Sequence, residues 1–236
     1  VAALSTSQIA SLTATGLDAL SSTEVQSWDT TQLGALTTAQ LGRLSSTAIS
    51  DFDSTQLGGL TTTQLRGLTT SQLNGLGTNE LNAINVANLS TAQVAGLNAT
   101  AIQNLTETQA DAFTATQIGA FSATALGAFS STEVQAWDTT QLGAITSKQL
   151  GGLTTTAVDN FSDTQLAGLS STQVRGFTTA QLNALSTTSL NALDITDLSS
   201  TQIKGLNTTA VGNLSDTQVA ALGTDQIAAL TATGIG

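Results

Sequence analysis

The feature that most constrains this chain is a period of eight. From Ser5 it divides into blocks such as STSQIASL, SSTEVQSW, DTTQLGAL and TTAQLGRL. Ten octads run to Ile84, thirteen from Ser90 to Leu193 and four from Ser199 to Leu230; a truncated one ends at Gly236. Two five-residue blocks interrupt them, NVANL at 85–89 and DITDL at 194–198. A unit this short cannot bury its apolar side alone, so its neighbours must stack on it to make a core.

Each octad reads as one short helix. Position 1 is Ser, Thr, Asp, Asn or Gly in all 28 starts. These are N-cap residues, whose side-chain oxygen accepts from an orphan amide of the first helical turn. Position 4 is Gln or Glu in 20 of the 28, which completes a capping box. Position 5 is Val, Ile or Leu except at Ala110, and position 8 is Leu, Ile, Phe or Trp in all 27 complete octads. Apolar residues three apart share one helix face. Position 7 is mostly Ala, Gly or Asn, as expected where backbones approach closely or a helix ends.

Proline is absent, so the recurring N-cap supplies the punctuation. Helices of one to two turns are not stable alone. Two buried apolar side chains do not offset the ordering of eight backbone units, and stacking must supply the rest. The pattern therefore predicts an all-α solenoid of very short capped helices, one per octad, with positions 5 and 8 lining the core. The five-residue blocks lack the first part of an octad and are expected as corners or phase corrections. The alternative is a β-solenoid: Thr is abundant and favours strands, and NVANL followed by Ser resembles pentapeptide repeats. Apolar spacings of three and five fit strict alternation only partly, and strands give no reason for Gln at position 4.

A longer period lies above the octad. The two short blocks are 109 residues apart, and SSTEVQSW-DTTQLGAL at 21–36 matches SSTEVQAW-DTTQLGAI at 130–145 at the same offset. Setting residues 1–127 against 110–236 gives 67 identities in 127 pairs. The octad alone would not reproduce the Trp positions or the short blocks. Residues 1–236 thus read as a single continuous array containing a duplicated 109-residue unit. The chain starts at VAAL, the second half of an octad, and stops mid-octad at TATGIG. The expectation is a window on a longer array.

Composition narrows the chemistry. There is no His and no Cys, so the usual ligands of zinc, copper and haem are missing, as are Ser-His and Cys-His nucleophilic pairs. Five basic residues against 16 acidic ones give a net charge of -11, which argues against nucleic acid and anionic membranes as partners. No apolar run approaches the ~20 residues that span a bilayer, so no membrane insertion is expected.

Few residues stand outside the pattern. All eight aromatics fall at position 8, which places them in the core. The sharper expectation for two of them is that Trp28 and Trp137 bind a ligand, as sugar-stacking platforms beside Asp29 and Asp138. Those aspartates also fit as N-caps, where negative charge suits the helix dipole. Asp194 and Asp197 in the second short block, and Asp51 and Asp53 around an octad boundary, are candidate oxygen ligands for Ca²⁺. The first short block has Asn85 and Asn88 at the positions of Asp194 and Asp197. No catalytic residue and no other cofactor is expected; paired carboxylates would need a cleft and raised pKa values to act as acid and base. Asn88, Asn98, Asn104, Asn160, Asn207 and Asn213 each begin an Asn-x-Ser/Thr sequon, a match the repeat itself generates. Rows of Ser and Thr at positions 1 to 3 could also form a regular hydroxyl array of the ice-binding kind, although capping already explains them.

The run LGGLTTTQLRGLTTSQLNGL at 57–76 resembles octapeptide repeats of very large surface or secreted adhesin-like proteins of Gram-negative bacteria. The resemblance covers the whole chain. It implies an extracellular or cell-surface location and carries over no binding residue. The expectation is a structural repeat protein that forms a fibre, stalk or matrix filament and associates with itself. The alternative is an adhesin-type module that recognises carbohydrate or a surface partner. An enzyme is not expected.

Overall fold

The computed structural model describes residues 4–231. Residues 1–3 of the VAAL block and 232–236 of the truncated octad lie outside them. Among the described residues the regular structure consists of α-helices of four to eight residues and two 3₁₀ turns, with no strand. The chain is an all-α repeat solenoid, and the β-solenoid alternative is set aside. The reason is local: position 1 holds an extended backbone and caps the turn that follows. At Thr61, for example, Oγ1 accepts from the amide of Gln64 at 3.2 Å, and Gln64 Oε1 accepts from the amide of Thr61 at 3.1 Å. The same reciprocal box recurs at Ser21, Thr37, Ser90, Thr146 and Ser199.

The chain divides into two compact bodies, Val1–Phe121 and Ser122–Gly236. In each, a helix packs on the helix three places further along. In the first body Ser54–Gly58 lies against Thr78–Ala83; in the second Ser200–Lys204 lies against Thr224–Thr231. The core of each body follows the octad. Position 5 buries Leu41, Leu73, Leu150 and Leu190, and position 8 buries Leu68, Phe113, Phe129 and Phe177. Aromatics at position 8 of successive octads meet edge to face, Phe113 with Phe121 at 4.9 Å and Phe129 with Trp137 at 5.1 Å between centroids.

Small residues late in the octad serve close approach. A Cβ built on Gly67 would sit 2.9 Å from the Cα of Thr38, and one on Gly42 would sit 2.7 Å from the carbonyl oxygen of Gly67. No described residue has a positive φ. Glycine is used here because another backbone lies where a side chain would be, and not for the left-handed cap that ends many helices.

Candidate functional site

The most regular feature of the structure is built from position 4. The capping box uses only the Oε1 of each glutamine. Its Nε2 donates outward, to two backbone carbonyls of the previous coil. Gln56 donates to Val25 O at 2.9 Å and Trp28 O at 3.0 Å. Gln72 donates to Leu41 O and Leu44 O, both at 2.7 Å. In the second body Gln173 reaches Leu142 O and Ile145 O, each at 2.9 Å. Each acceptor pair is positions 5 and 8 of the octad four places earlier. Helices meet three places apart and glutamines reach four back, so one turn takes between three and four octads. These glutamines are buried, Gln72 to 1% exposure. A buried amide is tolerated because both its oxygen and its nitrogen are bonded.

The five-residue blocks are units in their own right. They form the 3₁₀ turns Val86–Asn88 and Ile195–Asp197. Gln117 donates to Val86 O and Leu89 O at 2.8 and 2.9 Å, and Gln226 to Ile195 O and Leu198 O at 3.0 and 2.8 Å. Each block thus stands where an octad would, with Val86 or Ile195 as position 5. The block shortens a coil by three residues and keeps the order of units. It is neither a corner nor a skipped place, because Asn85 and Asp194 still cap the shortened turn.

Position 6 carries a second tie in the opposite direction. Asn74 donates from Nδ2 to Gly96 O at 2.9 Å, and its Oδ1 accepts from the amide of Asn98 at 3.0 Å. Asn183 does the same to Gly205 O at 3.0 Å and the amide of Asn207 at 2.9 Å. The octads that start at Asn98 and Asn207 have Ala101 and Ala210 at position 4 and so lack their own capping oxygen. The previous coil supplies it. Asp18 does so for the amide of Ser45, whose octad carries Ala48. Where Ala157 stands at position 4, Asn160 donates instead to Phe129 O at 2.9 Å. Sequence patterning identified the box and not these ties. The available signal was a polar residue at position 6 four units before each of these three alanines.

The residues singled out from the sequence fall into this scheme as follows. Trp28 and Trp137 are buried, at 3% and 4% exposure. Both indole N–H groups are buried and make no hydrogen bond. Asp29 and Asp138 cap the next helix, accepting from Gln32 and Gln141 amides at 2.8 Å. A groove of about 530 Å³ runs beside Trp137, with Gln135, Asp138, Thr139 and Thr164 on its walls. Asp194 is committed to its own turn: it accepts from the amide of Thr196 at 2.9 Å and from its hydroxyl at 2.6 Å. The hydroxyl bond first and the amide bond second hold the Asp194 carboxyl below the ordinary aspartate range. Asp197 offers its backbone carbonyl to Arg175 Nε at 3.1 Å, as Asn88 does to Arg66 at 2.9 Å.

Asp51 accepts from Ser22 Oγ at 2.7 Å, and Asp53 caps Gln56. No group of three or more carboxylates that would hold a metal occurs among the described residues. Of the sequon asparagines, Asn98 and Asn207 cap helices through Oδ1 and Asn160 spends its Nδ2 on Phe129 O. No helix among the described residues is long and apolar enough to cross a membrane.

A family model for the ALTTAQ repeat matches residues 15–49, 49–85, 125–155 and 195–232, together more than half of the chain. Among curated proteins, none matches the chain.

Proposed function

We propose a structural role for this chain, which belongs to the ALTTAQ repeat family: an extracellular or cell-surface repeat solenoid that serves as a fibre, stalk or matrix filament. The observation that carries this reading is the glutamine tie. One side chain type, at one position, caps its own helix and fastens it to the previous coil, and the arrangement recurs in both bodies. Such a tie can be repeated without limit, which suits a protein whose task is length. The polar surface is Ser, Thr, Asn and Gln with few charges, compatible with lateral packing of neighbours. An acidic chain with five basic residues is a poor partner for nucleic acid. The bonded state of Asp194 and the lack of a three-carboxylate group favour a chain that needs no calcium. Electron microscopy of the native material tests the reading. Filaments with a regular axial repeat are expected; dispersed globular particles would overturn it.

The groove beside Trp137 favours a second reading, an adhesin-type module for a carbohydrate or surface partner. Its walls carry hydroxyls and amides, the groups that recognise sugars, and an indole lies buried at its base. Thr164→Arg would fill the groove without touching the core. Glycan binding by the native chain that this variant abolishes is the expected result under this reading.

A further inference from the structure

We propose that the two outer coils of the described chain form a head-to-tail docking pair, each copy seating its first coil on the last coil of another; this rests on the fibre reading and names its contact. The last coil shows what a covered face lacks. Val219 and Ile227, at position 5, are 40% and 38% exposed, whereas position 5 inside the array is buried, as at Leu57, Leu166 and Ile203. No side-chain amide reaches the carbonyl oxygens of Leu206, Val211 and Leu214, whose counterparts at Leu36, Leu41 and Leu44 each receive one. The first coil shows the complement. Gln8 completes its capping box through Oε1, but among the described residues nothing accepts from its Nε2. Gln8 is exposed where Gln40, Gln56 and Gln72 are buried, and Leu12 and Leu20 at position 8 are only half-buried.

One face thus carries spare carbonyl acceptors around exposed position-5 side chains. The other carries a spare amide donor beside half-exposed position-8 side chains. Those are the two halves of the coil-to-coil contact inside each body, where Gln40 Nε2 meets Ile9 O and Leu12 O at 3.0 and 2.8 Å. A second copy continues that established contact with the same chemistry. The contact is heterologous, so it extends into a filament and does not close into a dimer.

Sedimentation velocity of the full chain over about a hundredfold range of concentration tests the pairing. The native chain is expected to shift to larger species as concentration rises. Val219→Asp with Ile227→Lys alters two exposed side chains and is expected to weaken association roughly tenfold or more, with the helical circular dichroism unchanged. Gln8→Glu, which keeps the capping oxygen and removes the donor, is expected to do the same from the other face. Mixing the two variants should restore one complex, a capped pair that grows no further. A native chain that stays a single species at every concentration would overturn the docking, as would variants that associate like the native chain. Either result leaves a filament built by one long array standing. Globular native material under the microscope would instead remove the fibre reading without touching this assay.

Discussion

Gln56 Nε2 donates to the carbonyl oxygen of Trp28 at 3.0 Å, across a separation of 28 residues, while Gln56 Oε1 holds the amide of Asp53 three residues away. A single side chain therefore closes a local turn and a long-range contact together. Losing the amide nitrogen should affect only the second, and losing the whole side chain should affect both.

Glu80 is where this rule is broken within the first body. Counting as for the glutamines, its partners are the carbonyls of Ile49 and Phe52, and no side-chain amide reaches either. A carboxylate has no N–H to give and repels the oxygens. Glu80→Gln is expected to stabilise the fold by about 1–2 kcal/mol, seen as a higher urea midpoint with an unchanged denaturant slope. A lower midpoint would show that the slot opposite Ile49 and Phe52 does not accept an amide.

Asn74 tests the compensation between positions. Asn74→Ala leaves the amide of Asn98 and the carbonyl of Gly96 without their partner and is expected to cost about 1–2 kcal/mol. Asn183→Ala should cost a similar amount through Asn207 and Gly205. Ala101→Gln offers Asn98 a local capping oxygen. It should therefore help the Asn74→Ala chain more than the native one, a coupling that a double-mutant cycle reads directly.

Much of this was legible in the octad. Cap, box and core each depend on residues within one block, so Ser at position 1, Gln at 4 and Leu at 5 and 8 predict a helix without reference to the rest of the chain. The destination of the glutamine nitrogen was not legible. Gln72 and Leu41 are 31 residues apart, and only the number of octads per turn brings them together. The same gap hid the role of Asn74, whose value depends on Ala101 in another coil. The short blocks were misjudged for a related reason. NVANL looks like an interruption when residues are counted, but Val86 and Leu89 present the same two carbonyls as any octad, and Gln117 binds them as such.

Asp194 gives the fold an acid dependence that the first short block lacks. Its carboxyl titrates below the ordinary aspartate value because the ionised form accepts two bonds from Thr196. A lowered folded pKa adds stability that is fully present above the unfolded value, about 4, and is lost as pH falls through the folded one. Stability should be flat from neutral pH to about 5 and decline below about 4. Asp194→Asn, which copies Asn85, should lower stability near neutral pH modestly and make the acid decline shallower. An unchanged acid profile in that variant would show that Asp194 does not contribute.

The tryptophans separate packing from binding. Trp28→Phe and Trp137→Phe keep an aromatic ring in the core and remove an N–H that has no partner. Each should leave stability within about 1 kcal/mol of the native chain or raise it. Trp137→Ala, which opens a cavity, should cost about 3–5 kcal/mol. If Trp137→Phe instead cost as much as Trp137→Ala, the indole nitrogen would have a partner in solution, and the groove beside it would be the place to look.

The central claim is that position-4 glutamines fasten each coil to the one before, and urea unfolding of Gln72→Glu and Gln72→Ala tests it most directly. Gln72→Glu keeps the cap to Thr69 and removes both donors to Leu41 and Leu44; it should cost about 2–4 kcal/mol at neutral pH despite an intact helix start. Gln72→Ala loses the cap as well and should also fall well below the native chain. If Gln72→Glu unfolded within about 0.5 kcal/mol of the native protein, the glutamine would be only a cap, and the coils would be held by their apolar core alone.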